Sequence, residues 1–398
     1  MKRILFVDDE PKILEGIGRM LRADRNRWDM QFAQSGEAAL QAFEAGSFDV
    51  VISDLRMPGM DGATLLGHIR DRFPDTARII LSGYSEVALA TRSVSVAHSF
   101  LAKPCAASEL QATIARMCAQ QDIFGTPELR RIVGAVGELP SLSTTYINLR
   151  KAVNDPSASI SQVADIIQQD VAMSAKVLQI SNSAFFGAAQ RVTSLSNAVS
   201  YLGMETIKNL ALASEAFRVF VPGSHVLRGV CESIQRHSIQ TVAIIGTLPL
   251  ERKIRDIAAM AALLHDIGCL FLASSMPAEF GSVLALCSAR GCKSFEAEEE
   301  LLGTSHAEIG AYLLGLWGLP NLAVEAMAHH HHPTRIPHSG FDCTVAVYVA
   351  DLLAHELQDH PQGSIGLEIQ ESDRACLETL GVLPRLAEFR DLALRSGN

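Results

Sequence analysis

Two groups of residues in this chain have types and spacing that could do chemistry. The first is acidic. Asp8 and Asp9 follow the apolar run Ile4-Leu5-Phe6-Val7, and Asp54 follows Val50-Val51-Ile52-Ser53. Lys103 follows Ser99-Phe100-Leu101 and precedes Pro104. Each run has the character of a buried strand. In an open parallel sheet, sites form at the carboxyl ends of the strands, so these carboxylates and the ammonium would meet there. Crowded carboxylates repel, and a hard divalent cation such as Mg²⁺ relieves that repulsion. A carboxylate beside Mg²⁺ can attack a phosphoryl phosphorus, while Mg²⁺ and Lys103 neutralise charge on the transferring group. Ser82, after Arg78-Ile79-Ile80-Leu81, offers a hydroxyl to a phosphoryl oxygen.

The second group is histidine and aspartate. His265-Asp266 follows Ala261-Ala262-Leu263-Leu264, which places two ligand types at the buried end of an apolar helix. Burying Asp266 without a partner would be costly. His237, His306, His330, His331 and Asp351 add further imidazole and carboxylate groups. Such ligands suit Fe, Mn, Zn or Ni, and a bridging Asp266 could join two ions. A lone histidine on an apolar helix is more often a core residue held by one hydrogen bond; the signal lies in the ordered set.

The elements that must position these groups divide the chain. Over residues 1–120 the strand-like runs alternate with amphipathic segments near 12–23, 36–45, 62–72, 86–95 and 107–119. Such alternation predicts a five-stranded, doubly wound parallel α/β sheet covered on both faces. Gly125-Thr126-Pro127 breaks the chain, so 121–127 reads as a linker. From 128 to 398 period-2 alternation almost vanishes and helical patterns dominate, which predicts an all-α helical bundle. Within it, 373–396 reads as one or two amphipathic helices that pack on the bundle or form a dimer contact.

Composition removes several function classes. With 398 residues, 48% of them hydrophobic, the chain can build two or three cored domains. Its net charge of −10 disfavours non-specific binding to nucleic acid or anionic membrane. No apolar run approaches the ~20 residues that span a bilayer. The apolar start of the chain is four residues long and ends in acids, which does not fit a signal peptide. A cytoplasmic location is expected, with the eight cysteines reduced and mostly core-filling. The basic pairs Arg130-Arg131, Arg150-Lys151 and Arg252-Lys253 read as solvated helix faces. Neither zinc-finger spacing nor a Gly-rich phosphate loop is found, so a DNA-binding output is not expected.

The first region resembles the response-regulator receiver family. The stretches that carry the resemblance are Val7-Asp8-Asp9-Glu10-Pro11, Asp54-Leu55-Arg56-Met57-Pro58-Gly59-Met60-Asp61-Gly62, Ser82-Gly83-Tyr84 and Lys103-Pro104. The resemblance implies that Asp54 is the phosphoacceptor. It implies that Asp8, Asp9, Asp54 and the Arg56 carbonyl bind Mg²⁺, that Lys103 contacts the phosphoryl group, and that Ser82 and Phe100 reorient on phosphorylation. A sensor histidine kinase is the partner it implies.

The second region resembles the HDOD family, the HD-related output domain. Glu138-Leu139-Pro140, Asn182-Ser183-Ala184-Phe185-Phe186-Gly187 and Ala198-Val199-Ser200-Tyr201-Leu202-Gly203 carry that resemblance. It implies an HD-like helical bundle used as a signalling output. Many members lack the metal ligands of the parent HD phosphohydrolases, but this chain departs from them. Its order His237, His265-Asp266, His306, His330-His331, Asp351 is similar to the metal set of HD-GYP phosphodiesterases, which implies a di-metal centre. His332 stands where that family shows Glu, and Pro333-Thr334-Arg335-Ile336-Pro337-His338-Ser339-Gly340 replaces its Gly-Tyr-Pro segment.

Two outputs are expected. In one, phosphorylation of Asp54 changes domain docking or homodimerisation, and the helical domain engages a downstream signalling protein. The alternative is a metal-dependent phosphodiesterase acting on a cyclic dinucleotide of the cyclic di-GMP type. Coupling would run through the helices at 86–95 and 107–119 and the short linker.

Overall fold

Buried β-branched runs separated by helices form a parallel sheet. The structure, a computed structural model, describes residues 1–83, 93–123, 126–134, 140–141, 143–153, 155, 157–182, 192–212, 218–219, 225–338, 340–359, 369 and 371–396. Strands β1 (Lys2–Val7), β2 (Trp28–Ala33), β3 (Val50–Asp54), β4 (Ala77–Gly83) and β5 (Ser99–Lys103) pair in parallel in the order β2-β1-β3-β4-β5. Strand β2 matches none of the apolar runs read from the sequence. It is an edge strand, buried only at its ends, so a polar sequence suffices there.

The chain order reverses between β1 and β3, where an open α/β sheet leaves a crevice at its carboxyl edge. Val7 pairs with Ser53, so Asp8 and Asp54 leave the sheet side by side. Gly83 pairs with Lys103, which brings the ammonium to the same edge. Helices α1 (Pro11–Met20), α2 (Gly36–Ala45), α3 (Gly62–Arg72) and α4 (Ala107–Ile123) cover the sheet. Tyr84 and most of the expected helix at 86–95 lie outside the described residues. Helix α4 runs to Ile123, beyond residue 120.

Among the described residues, the rest is helical apart from one small strand pairing. It comprises α5 (Pro127–Gly134), α6 (Ser143–Ala152), α7 (Ile160–Gln168), α8 (Val171–Ser181), α9 (Leu195–Leu212), α10 (His225–Thr247), α11 (Arg252–Leu264), α12 (Ile267–Ser275), α13 (Pro277–Arg290), α14 (Ser294–Leu302), α15 (His306–Leu316), α16 (Asn321–Ala328), α17 (Cys343–Asp359), α18 (Glu371–Thr379) and α19 (Leu386–Ser396). The exception is a two-residue parallel pairing of β6 (Pro140–Ser141) with β7 (Arg218–Val219). Of the motif at 182–187, all but Asn182 lies outside the described residues. Helices α10, α11, α16 and α17 pack together, α12 lies against α15, and α19 packs on α10 and α17. The stretch Arg252–Ser275 is long and apolar enough to cross a membrane, with a mean hydropathy of 1.8, yet 72% of it is buried inside the bundle. The chain turns there at His265-Asp266, between α11 and α12. The stretch is the bundle's core.

Both regions contribute to one continuous buried core. The helical region docks at the amino-terminal ends of β4 and β5 and along α4, opposite the edge that holds Asp54. The Arg116 guanidinium donates to the carbonyls of Gly315 and Leu316 at 2.9 Å each, at the negative end of the α15 dipole. Gln179 of α8 donates to the Ala97 carbonyl at 3.0 Å. Arg78, fully buried, donates to the Gly134 carbonyl at 2.8 Å and to Val96 at 2.7 Å. A Cβ on Gly134 would lie 1.6 Å from the Pro74 carbonyl oxygen, so only glycine permits this approach.

Candidate functional site

At the sheet edge, Asp8 and Asp54 are both buried and Asp9 is half-buried. The Lys103 ammonium donates to Asp8 Oδ2 at 2.7 Å and also to Asp54 Oδ1. The Arg56 amide donates to Asp54 Oδ2 at 3.0 Å, and the Glu10 amide to Asp8 Oδ1 at 3.0 Å. Burial pushes the Asp54 carboxyl above its ordinary value, against the pull of Lys103 and with help from Asp8. Burial disfavours the Lys103 ammonium too, but its hydrogen bonds to Asp54 and Asp8 outweigh that and raise its pKa. Ser82 and Phe100 are buried on β4 and β5. A Cβ on Gly62 would meet the Asp54 carbonyl oxygen at 2.0 Å, so glycine lets α3 start directly against the acidic corner.

The second group assembles from five helices or helix ends. His265 follows α11 and His330 follows α16, and each ring turns back on its own helix. Their Nδ1 atoms lie 2.7 Å from the Ala262 carbonyl and 2.6 Å from the Met327 carbonyl. A carbonyl only accepts, so Nδ1 carries a proton and Nε2 is turned inward. Both Nε2 atoms are buried and have no hydrogen-bond partner. His306 opens α15, and Glu298 holds it twice, accepting from its backbone N–H at 2.6 Å and facing Nδ1 at 2.7 Å. His237 Nε2 of α10 lies 2.7 Å from Asp351 Oδ1 of α17.

Asp266 stands at the centre, and its two oxygens face different partners. Oδ2 is 3.4 Å from His265 Nε2 and 3.9 Å from His237 Nε2. Oδ1 is 3.3 Å from His306 Nε2 and 3.8 Å from His330 Nε2. Ligand atoms group accordingly as His237-His265-Asp351, His265-Asp266-His330, His306-His330-His331 and Asp266-Cys269-His306, each set within 4.8 Å. All seven residues singled out by the sequence order come together, and His329 and His332 fall outside these groups. Burial would raise the Asp266 and Asp351 carboxyls, but the surrounding imidazoles hold both well below the usual range. Burial opposes charge on His265 as well, yet the aspartates push its pKa up to about 9. His330 is driven down to about 3 by burial and its cationic neighbours, and His331 well below its ordinary value for the same reasons.

Three residues of the cluster escape the sequence reading. Glu298 has only its spacing before His306 to mark it. His355 lies one turn after Asp351, its Nε2 3.5 Å from Asp351 Oδ1 and its side chain 59% exposed, at the mouth. Cys269 lies one turn after Asp266. It was expected to fill core, but its neighbours are imidazole and carboxylate, unlike the buried Cys118 and Cys343. A close helix crossing makes the cluster possible: a Cβ on Gly268 would sit 2.1 Å from the His306 carbonyl oxygen.

An acid-and-lysine corner on a doubly wound sheet, docked to a helical bundle with a histidine–aspartate centre, defines a phosphoacceptor-type domain joined to an HD-related one. Known proteins agree. Residues 4–115 match the response regulator receiver domain family, and residues 139–333 match the HDOD domain family. The chain belongs to the response regulators that join a receiver domain to an HDOD domain.

Among curated relatives, an uncharacterized protein of Treponema pallidum is 24% identical over 231 residues, which is 57% of this chain and 44% of that protein. Sensor kinase CckA of Brucella abortus is 38% identical over 30% of this chain and 13% of its own length. Response regulator protein FleR of Pseudomonas aeruginosa is 34% identical over 29% of this chain and 24% of its own length. The chain thus spans less than half the length of these relatives. Among solved structures, a virulence factor of Campylobacter jejuni has a TM-score of 0.50 at 21% identity, over 68% of this chain and 98% of that one, a likeness of fold. The MmoQ response regulator of Methylococcus capsulatus has a TM-score of 0.48 at 21% identity, over 64% of this chain and 98% of that one.

Proposed function

We propose that this chain is a cytoplasmic response regulator in which a sensor histidine kinase phosphorylates Asp54, and that this controls how the HDOD domain is docked and so what it engages. The observation that carries this reading is the shared core: β4 and β5 bear Ser82, Phe100 and Lys103, β4 also carries Arg78, and Ala97 lies just before β5, both of them groups that hold the HDOD domain. A shift of Ser82 and Phe100 toward a phosphoryl group is a shift of the docking strands. Asp8, Asp9, Asp54 and the Arg56 carbonyl would hold Mg²⁺, a fit supported by the way Asp8 and Asp54 already share one cation, Lys103. Mg²⁺ there would offset charge on the transferred group.

Incubation with a small phosphodonor and Mg²⁺ should label the native protein and raise amide exchange around 96–99 and 315–318. Equal labelling of Asp54→Asn would defeat the assignment of Asp54, and unchanged exchange in labelled protein would defeat the coupling.

A second reading, a metal-dependent phosphodiesterase of the cyclic di-GMP type, is favoured by one observation: the two oxygens of Asp266 face two separate sets of imidazoles. The inward, unpartnered Nε2 atoms of His265 and His330 fit an ion of the Fe, Mn, Zn or Ni class. His237, His265 and Asp351 would hold one ion, His306, His330 and His331 the other, with Asp266 between them. Bound ions would supply Lewis acidity at a phosphodiester. Glu298 fixes the His306 ring. Hydrolysis of cyclic di-GMP should disappear in His265→Ala/Asp266→Ala; hydrolysis that persists there rules out this centre.

A further inference from the structure

We propose that Cys269 is a ligand of the HD centre, so that the pocket it forms with Asp266 and His306 takes a thiophilic ion such as Zn²⁺ in preference to a hard one. This rests on the metal reading above. Cys269 and Asp266 lie one turn apart at the start of α12, and the Cys269 amide donates to the Asp266 carbonyl at 2.9 Å. That spacing sets both side chains on one face. Cys269 Sγ, an Asp266 oxygen and a His306 ring nitrogen lie within 4.8 Å of one another.

An independent observation points to a ligand beside that pocket. His330 is fully buried, and its Nε2, without a hydrogen-bond partner, lies 3.8 Å from the Asp266 oxygen that also faces His306. Across Asp266, the grouping His237-His265-Asp351 offers nitrogen and oxygen only. The two halves therefore differ in softness. Thiolate with imidazole selects Zn²⁺, whereas carboxylate-rich sites accept Mn²⁺ or Mg²⁺. A dinuclear centre built this way holds two ions of unequal tightness.

The test uses the full chain, stripped of metal and titrated with Co²⁺. Visible d–d bands report Co²⁺ on histidine and carboxylate, and a near-ultraviolet sulfur-to-cobalt charge-transfer band reports Cys269. The expected result is both signals in the native protein. Cys269→Ser should lose the charge-transfer band, keep the d–d bands, and weaken Zn²⁺ binding by at least the roughly 10–100-fold that even outer-shell changes produce. Visible bands with no charge-transfer band, or a charge-transfer band that survives in Cys269→Ser, overturns the proposal and leaves the metal centre standing. Absence of every Co²⁺ signal overturns both. The native spectrum alone decides the first of these outcomes, so the test does not depend on how the variant folds.

Discussion

At the scale of single residues, this protein sets chemistry by what holds each ring or carboxyl. His265 and His330 turn their Nε2 atoms inward because helix-end carbonyls, left unpaired by the helix itself, accept from Nδ1. His306 is turned the same way by Glu298, which is fully buried. Glu298 orients and does not itself face the centre, so its removal should leave the fold largely intact. Glu298→Gln is expected to lower metal affinity about 10–100-fold, measured by competition with a chelating indicator; unchanged affinity would show that the His306 ring is fixed by packing alone. Much of this scale was legible in the sequence. The receiver motif marked Asp8, Asp9, Asp54 and Lys103, and the ordered histidines marked the second cluster. Glu298 was not legible because a glutamate in an amphipathic helix reads as solvated; only the fold shows that its face is turned inward.

At the scale of elements, the geometry depends on where helices can approach closely. Helices α12 and α15 cross with Gly268 against the His306 backbone, and a Cβ on Gly310 would meet Gly268 N at 3.3 Å. Any side chain at 268 must push the helices apart. Gly268→Ala should destabilise the protein by about 1–3 kcal/mol in denaturant unfolding, as overpacking does, and should also weaken metal binding, since it moves His306 away from Asp266. Loss of stability with full metal affinity would mean that the centre relaxes around the insertion. Sequence reading predicted an all-α region here but neither these two helices nor their crossing, because a glycine after His-Asp reads equally well as a turn. It also missed β2, an edge strand with little buried surface to betray it.

At the scale of the molecule, docking of the two domains is the feature on which the proposed coupling rests. Arg116→Ala removes the clasp on the end of α15 and should raise amide exchange at 315–318 in unphosphorylated protein, mimicking part of the proposed effect of phosphorylation; protection unchanged from the native protein would assign docking to the apolar core alone. The interface also holds a titratable group. His98 is buried, its Nδ1 3.1 Å from the Arg78 N–H and its Nε2 3.0 Å from the Arg78 guanidinium. Burial first, and then the charges of Arg78 and Lys176, hold its pKa well below the ordinary 6.5. An unfolded chain protonates His98 near 6.5 and the folded one does not. This contribution is therefore complete above pH 6.5 and is lost as pH falls below it. The loss should reach about 2 kcal/mol at most between pH 6.5 and 5, read from denaturant midpoints, and His98→Asn should flatten that slope. A slope unaltered by the substitution would place the titration elsewhere.

By itself, the sequence determined the two architectures and the identity of most residues in both clusters. Strand composition, helix periodicity and motif order are local properties, and local physics suffices for them. Only the tertiary structure decided that Asp266 points its two oxygens at two sets of imidazoles, that Cys269 stands beside Asp266 and His306, and that the HDOD domain grips the receiver at the end of the sheet opposite Asp54. Each of these depends on side chains distant in sequence becoming neighbours, such as Arg78 with Gly134, Arg116 with Gly315, and Asp266 with His306. Such neighbours are set by how closely particular helices can pack, and one Cβ at Gly134 or Gly268 would change that.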